Sequence, residues 1–104
     1  MIDKNEILDY LKTMKPNLVS SGIKTIGIFG SYAKDSATET SDIDVVYEST
    51  DEFLANFKGW NAFVYLDENL RNKLAQKFHK KIDLFDLNSN ASIKEFVKKE
   101  AIYV

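Results

Sequence analysis

Apolar residues recur every three or four positions in the first part of the chain. The repeating positions are Ile7, Leu11, Met14 and Leu18. This spacing predicts a helix over residues 3–15 that buries one stripe. Asp3, with Glu6 three residues later, is typical of a capping-box start. Pro16 is expected to end the helix.

Short runs rich in β-branched and apolar residues predict three strands. The predicted strands cover residues 23–29, 43–47 and 81–87. A helical turn at 31–35 and a polar turn at 36–41 connect the first strand to the second. The last residues, 102–104, either fray or add a short strand.

Further helices are predicted between and after these strands. Ser49 with Glu52, and Ser92 with Glu95, are capping-box pairs that open two of them, and a third covers residues 60–77. The apolar stripe predicted for the third consists of Phe63, Leu66, Leu70 and Leu74. The last helix follows a loop at 88–90, and its expected inner face is Ile93, Phe96, Val97 and Ala101. Strands separated by helices predict an α+β fold, in which helices pack against a small mixed sheet.

The composition fits a single domain over residues 1–104. Apolar residues make up 44% of the chain, which is enough for a core. A domain this short could gain part of its stability from a homo- or hetero-oligomer. The net charge of −2 argues against strong direct binding to nucleic acid. The absence of cysteine excludes a disulfide framework and a thiolate metal site.

The N-terminal residues lack the apolar core of a signal peptide. No apolar run approaches the roughly 20 residues that a membrane span needs. We therefore expect a cytoplasmic protein with no membrane partner.

Two aspartates, Asp42 and Asp44, lie where the second predicted strand begins. Residues two apart in a strand share a face, so both carboxylates are expected to point the same way. Two carboxylates about 4 Å apart repel by roughly 4 kcal/mol at an effective dielectric constant of about 20, and a divalent cation would offset this repulsion. Oxygen ligands with no Cys or His nearby favour Mg²⁺ or Mn²⁺. For the pair taken alone, two solvated carboxylates are the alternative.

A second signal is Gly30-Ser31 at the end of the first predicted strand. Glycine lets the backbone approach a ligand closely, and the first N–H groups of the following turn favour a phosphate. The Ser31 hydroxyl can donate to the same anion, and Lys34 can add a positive charge one turn later. Taken alone, Gly30-Ser31 is more typical of an ordinary strand-to-helix turn that Ser31 caps.

Asp83 lies between apolar neighbours in the third predicted strand. A carboxylate there is unfavourable unless it is paired or on a sheet edge. If the third strand lies beside the second, Asp83 completes a set with Asp42 and Asp44. Asp86 has the opposite parity, so the two cannot face the same metal, and the more central position favours Asp83. An edge charge that discourages aggregation is the alternative.

Other residues carry weaker signals. His79 lies among lysines and is expected on the solvated surface. Trp60, Phe63 and Tyr65 are expected in the core. Should they prove exposed together, they would mark a partner interface.

These motifs together resemble a known superfamily. Gly30-Ser31, ten intervening residues and Asp42-Ile43-Asp44 resemble the motif of the DNA polymerase β-like nucleotidyltransferases. The stretch 29–46, the segment Ile82-Asp83-Leu84 and the ending 96–104 are similar to the minimal nucleotidyltransferase (MNT) branch. The resemblance covers nearly the whole chain and implies a palm-like core.

The resemblance also implies that the protein binds ATP with two Mg²⁺ ions. Asp42 and Asp44 would ligate both metals, and Asp83 would ligate the catalytic metal and help to deprotonate the acceptor. Gly30 and Ser31 would hold the triphosphate.

A partner follows from the same resemblance. MNT proteins often pair with a HEPN-domain toxin, act as its antitoxin and in some cases transfer AMP to a tyrosine of the toxin. A non-catalytic antitoxin of the same fold, and a nucleotidyltransferase acting on RNA or a small molecule, are the alternatives. Asp35 stands where the family commonly has glycine. Aspartate tolerates the left-handed backbone, but its charge could weaken nucleotide binding and favours the non-catalytic alternative.

Overall fold

A four-stranded mixed sheet organises the protein. The computed structural model describes residues 2–89 and 92–104. The strands are β1 (Ile23–Phe29), β2 (Ile43–Ser49), β3 (Ile82–Asp86) and β4 (Ile102–Tyr103). In the order β3-β2-β1-β4, β1 pairs antiparallel with both β2 and β4, and β2 pairs parallel with β3. The predicted α+β fold with a mixed sheet is confirmed, and the chain ends in a short strand rather than a frayed end.

Helices pack on both faces of this sheet. They are α1 (Lys4–Ser20), α2 (Gly30–Ala33), α3 (Asp51–Asn56), α4 (Trp60–Leu66), α5 (Asn72–Phe78) and α6 (Lys94–Glu100), with a π-helical turn at Asp67–Arg71. Within the described residues, none of these helices combines the length and apolar character that crossing a membrane requires.

Two apolar clusters cover the two faces of β2. The larger one joins the sheet to α1, α4 and α5, and it contains Val45. The smaller one joins Val46 to Leu87 and to Val97 of α6. Since consecutive strand residues point to opposite faces and both valines are fully buried, β2 is covered on both of its faces.

α1 begins where the sequence predicts but continues further. The Asp3 carboxylate accepts a hydrogen bond from the Glu6 N–H at 3.0 Å, so the predicted cap is confirmed. The prediction that Pro16 ends the helix is wrong, because α1 runs on to Ser20. Proline removes the N–H that would bond to the Lys12 carbonyl. Both residues are exposed, so water can solvate that carbonyl while the opposite, buried stripe holds the helix on the sheet.

The helix predicted at 60–77 contains a π-helical turn, and most but not all of its predicted stripe is buried. The buried stripe has a four-residue spacing and consists of Leu66, Leu70, Leu74 and Phe78. The wider turn of a π-helix keeps residues at this spacing on one side. Phe63 lies off the stripe and is 63% exposed, and Trp60 is 77% exposed. The prediction that these two aromatics lie in the core is therefore wrong, whereas Tyr65 does pack against the core and His79 is exposed as expected.

The start of α3 differs from its prediction by one residue. Thr50, rather than Ser49, caps the helix, because its Oγ1 accepts a hydrogen bond from the Phe53 N–H at 3.3 Å. The same hydroxyl donates to the Gly22 carbonyl at 2.7 Å. Ser49 is buried and belongs to β2.

α6 also differs from its prediction. It begins at Lys94 with Ile93 at the N-cap position, and no side chain among the described residues caps it, so the predicted pair of Ser92 and Glu95 does not open it. Of the expected inner face, Val97 is buried, Ala101 is half-buried, and Ile93 and Phe96 are exposed. A helix of seven residues presents only two turns, and only the side that contacts Val46 and Leu87 is covered. The loop predicted at 88–90 extends to residue 90, which lies outside the described residues.

We expect Thr50→Ala to lower the free energy of unfolding by about 1 kcal/mol, because it removes the cap of α3. Thr13→Ala is the matched control. Thr13 is exposed within α1 and its hydroxyl bonds only to the Tyr10 carbonyl, and alanine is the better helix former there. Urea unfolding measures both variants. Equal stability of Thr50→Ala and the wild type would contradict the assigned cap.

Candidate active site

Asp44 and Asp83 lie side by side on the parallel strands β2 and β3. The two residues are partners in the strand register, so their side chains share a face of the sheet. The Asp83 carboxylate lies close enough to raise the pKa of Asp44. The structure thus brings together two of the three aspartates that the sequence predicts as metal ligands.

Asp42 precedes β2 by one residue and is half-buried. Its charge acts on Asp44, so the three carboxylates share one electrostatic environment. Within residues 2–89 and 92–104, however, no three acidic, His or Cys side chains converge in the geometry of a metal site. A three-ligand set therefore requires at least one of the three carboxylates to change its conformation.

Asp86 lies on the opposite face of β3 from Asp83. It is the register partner of Tyr47. Burial, and then the charge of Asp86, raises the pKa of Tyr47 to about 12, so this phenol keeps its proton at neutral pH. Asp83, and not Asp86, faces Asp44, as the strand parity predicts. β3 is an edge strand. The structure is therefore also compatible with the alternative that Asp83 is an edge charge that discourages aggregation.

The Asp44 carboxyl group occupies an unfavourable environment for a charge. Burial raises its pKa above the ordinary value of 3.8, and repulsion by Asp83 and by Asp42 raises it further. Phe29 is the register partner of Asp44 on β1, and its ring lies edge-on to Phe85 at 5.9 Å between centroids. These rings form an apolar floor beside the carboxylates. A divalent cation would compensate the charge, and an all-oxygen donor set fits Mg²⁺ or Mn²⁺.

The turn after β1 packs directly against Asp44. Gly30 opens α2 with a φ of 72°, in the left-handed region that favours glycine. A Cβ atom at this position would collide with Oδ2 of Asp44. Tyr32, which is buried, anchors α2 in the core. Any side chain at position 30 would therefore strain the backbone and displace the carboxylate.

Of the other predicted nucleotide-binding residues, Ser31 lies within α2 and Lys34 caps its end. The Lys34 ammonium group lies 4.0 Å from the Glu100 carboxylate and 5.2 Å from the centre of the Phe96 ring. These exposed contacts are weak, and they hold Lys34 against α6. A contact with nucleotide requires Lys34 to leave them.

Asp35 takes the left-handed conformation that the sequence implies, with a φ of 60°. Its carboxylate forms an ion pair with Lys4 at 2.8 Å. An exposed pair of this kind adds little stability, but it offsets the negative charge beside the turn. Sequence reasoning missed Lys4, because no spacing rule links two residues that are 31 positions apart.

Comparison with known proteins gives matches over almost the entire chain. The family model for polymerase β-type nucleotidyltransferases matches residues 5–104. Two proteins of Methanocaldococcus jannaschii, both candidate protein adenylyltransferases, are 33% and 32% identical over 103 residues. Each match covers 96% of this chain and 96% of the relative.

Solved structures share the fold. A candidate minimal nucleotidyltransferase is 20% identical with a TM-score of 0.71, and the match covers 97% of this chain and 95% of that one. A toxin–antitoxin structure with AMP-PNP is 24% identical with a TM-score of 0.61, covering 98% and 72%. A variant of the MntA–HpeT toxin–antitoxin is 26% identical with a TM-score of 0.60, covering 100% and 72%.

We expect Asp44→Asn to stabilise the metal-free protein at pH 7. The pKa of Asp44 is raised in the folded state, so stability falls as the pH rises from about 4 through that raised pKa and stays lower above it. Solvent screening limits the gain to less than about 1 kcal/mol. Melting temperatures should show the gain at pH 7 and its disappearance below pH 3.8, the ordinary pKa of this group.

Asp9→Asn is the control for this measurement. Asp9 is exposed and lies 4.0 Å from the Lys12 ammonium group, so its replacement should give no gain. If the wild type is at least as stable as Asp44→Asn at pH 7, the result contradicts the repulsion of Asp44 by Asp83 and Asp42.

We expect Asp83→Asn to weaken Mn²⁺ binding by about tenfold or more, because it removes a charged oxygen donor. Asp86→Asn lies on the same strand but on the opposite face, and it should bind Mn²⁺ as the wild type does. Isothermal titration calorimetry measures both. Equal losses of Mn²⁺ affinity in Asp83→Asn and Asp86→Asn would show that β3 contributes only negative charge and not a specific ligand.

Proposed function

The chain belongs to the polymerase β-type nucleotidyltransferase family, and we propose that it transfers AMP from ATP to a hydroxyl group of a partner protein. The observation that carries this proposal is the pairing of Asp44 with Asp83 next to the glycine turn at Gly30. The similarity to candidate protein adenylyltransferases over 96% of the chain supports a protein acceptor.

The carboxylates would hold two Mg²⁺ ions, with Mn²⁺ as a substitute. Asp42 and Asp44 would ligate both ions, and Asp83 would ligate one. Bound metal would activate the acceptor hydroxyl and neutralise the charge of the triphosphate and the leaving pyrophosphate. The desolvation and repulsion that raise the pKa of Asp44 support this assignment, because a cation would relieve both.

The residues around the carboxylates would position the two reactants. Gly30 allows the backbone to approach the triphosphate, and the Ser31 hydroxyl donates to it. The acceptor oxygen forms a bond to the α-phosphorus. The bond between this phosphorus and the oxygen that bridges it to the β-phosphorus breaks, so pyrophosphate leaves. The acceptor proton passes to Asp83 and then to water. Positioning and charge compensation provide most of the acceleration in such reactions.

The partner in this proposal is a HEPN-domain toxin, and the acceptor is one of its tyrosines. The protein would then act as an antitoxin. Toxin–antitoxin structures that share the fold, one of them with AMP-PNP, support a toxin partner and a nucleotide substrate. The resemblance of residues 29–46 and 96–104 to the MNT branch is the basis for the HEPN fold and for the tyrosine.

The structure weakens the case for a non-catalytic antitoxin. That alternative depends on the charge of Asp35 beside the nucleotide. The ion pair with Lys4 offsets this charge, and the left-handed backbone of the usual glycine is retained. An RNA acceptor has no support either, since the net charge is −2 and phosphate backbones need a basic surface.

We expect the protein to label the product of the adjacent gene when it is given Mg²⁺ and ATP labelled at the α-phosphate. Asp42→Asn should lower the rate about a hundredfold or more, because it removes a metal ligand. Asp9→Asn, an exposed acid on α1, should leave the rate unchanged. Mass spectrometry should place the label on a tyrosine.

Four results would overturn parts of this proposal. Absence of transfer by the wild type, or a normal rate in Asp42→Asn, rules out the catalytic role. A label on serine or threonine rules out the tyrosine acceptor. Full neutralisation of the toxin by Asp42→Asn would show that the antitoxin acts by contact.

A further inference from the structure

An apolar surface on α3 and α4 lies outside the candidate active site. We call it the α3–α4 surface, and its residues are Leu54, Trp60 and Phe63. All three side chains are more than half exposed. The rings of Trp60 and Phe63 contact each other, with 5.5 Å between their centroids. A contiguous patch of this kind is typical of a binding surface, unlike single exposed apolar residues.

A cleft of about 180 Å³ opens beside this surface. Leu54 and Phe63 border it, and Phe53 and Leu66 form its apolar wall. Asp86 lies at the cleft as well. An apolar pocket beside an exposed Trp is the arrangement that concentrates binding energy at protein interfaces.

Acidic residues lie beside the α3–α4 surface. Asp51 and Glu52 form the first turn of α3, and among the described residues neither they nor Asp86 has an ion-pair partner within 4.0 Å. In the sequence from 50 to 70, Lys58 is the only cation. Asp67 follows α4, and Arg71 neutralises it at 3.0 Å. The edge of the surface is therefore negative.

This charge argues against a second copy of the chain as the occupant. A two-fold dimer places the same patch against itself. Asp51 and Glu52 of one copy would then approach those of the other, and like charges across an interface are unfavourable. A surface that is apolar at its centre and basic around it complements both features.

We propose that the α3–α4 surface docks a partner protein whose contact surface is apolar at its centre and carries Lys or Arg around it. The cleft receives an apolar side chain of this partner. Trp60 and Phe63 pack against the partner residues around that side chain, and the acidic edge of the α3–α4 surface pairs with the partner's Lys or Arg residues. The partner is the acceptor protein, so its identity rests on the proposed function.

The α3–α4 surface lies apart from the carboxylates of the candidate active site. Tyr47 and Asp86, at the cleft, lie three residues beyond Asp44 and Asp83 along their strands, which is about 10 Å, and they point to the opposite face. A docked partner leaves the carboxylates uncovered. Because β3 is an edge strand, an extended segment of the partner can pass around it to the carboxylates.

The test measures binding without ATP or metal. The purified product of the adjacent gene is titrated with the wild type, with Trp60→Ala/Phe63→Ala and with Glu52→Lys. We expect the aromatic double variant to bind about thirtyfold or more weakly, and Glu52→Lys to lose affinity most strongly at low salt. Val19→Ala, an exposed apolar residue on α1, and Asp9→Lys are the matched controls and should bind normally.

The same variants then enter the AMP-transfer assay. The KM for the partner should rise in the aromatic double variant, whereas kcat, the KM for ATP and the affinity for Mn²⁺ should not change. Unchanged melting temperatures show that the variants are folded. A merely structural role for the aromatics would lower the melting temperature and Mn²⁺ affinity together with partner binding.

Each other outcome has a definite meaning. Normal partner affinity in the double variant, or no binding by the wild type, overturns the docking proposal. A wild-type dimer in sedimentation analysis that dissociates in the double variant also overturns it, in favour of a second copy as occupant. Binding that is lost in the double variant, without any labelling by the wild type, keeps the docking surface and overturns the proposed transfer.

Discussion

The parallel pairing of β2 with β3 is the constraint on which the rest of the structure depends. It aligns Asp44 with Asp83 in one register, with both side chains on the same face of the sheet. A parallel neighbour requires a long crossover connection, and α3, α4, the π-helical turn and α5 provide it. These helices cover one face of the sheet, so the carboxylates lie on the other face, beside α2. The candidate active site and the proposed docking surface therefore lie on opposite faces of the sheet because of this one crossover connection.

The environment of Asp44 is unfavourable for a charge, and the packing of β2 in the core offsets this. Asp44 is repelled by two neighbours and partly desolvated. It keeps its place because Val45 and Val46, the residues that follow it, are fully buried in opposite clusters. Proteins commonly accept a local loss of stability where a site is prepared for a ligand. The fixed backbone of β2 is what holds the repelling groups together.

Those parts of the site that follow from local rules could be predicted from the sequence. Strand parity separates Asp83 from Asp86, and glycine at position 30 indicates a turn that needs a missing Cβ. The features that were mispredicted depend on packing or on distant contacts. α1 passes through Pro16 because its opposite side is buried, and Phe63 is exposed because it lies off the buried stripe of its helix. The pairing of Lys4 with Asp35 depends on how α1 packs near the end of α2, which no local pattern encodes.

The contact between Gly30 and Asp44 has a thermodynamic consequence. The turn assigned to the triphosphate and the carboxylate assigned to the cation touch each other, so neither can shift without the other. A ligand that orders one of them reduces the conformational freedom that the second ligand must still remove. For a protein that binds both ligands as proposed, linkage would make the two binding events cooperative, and each would raise the affinity for the other by the same factor. Nucleotide and cation would each bind more tightly in the presence of the other than alone.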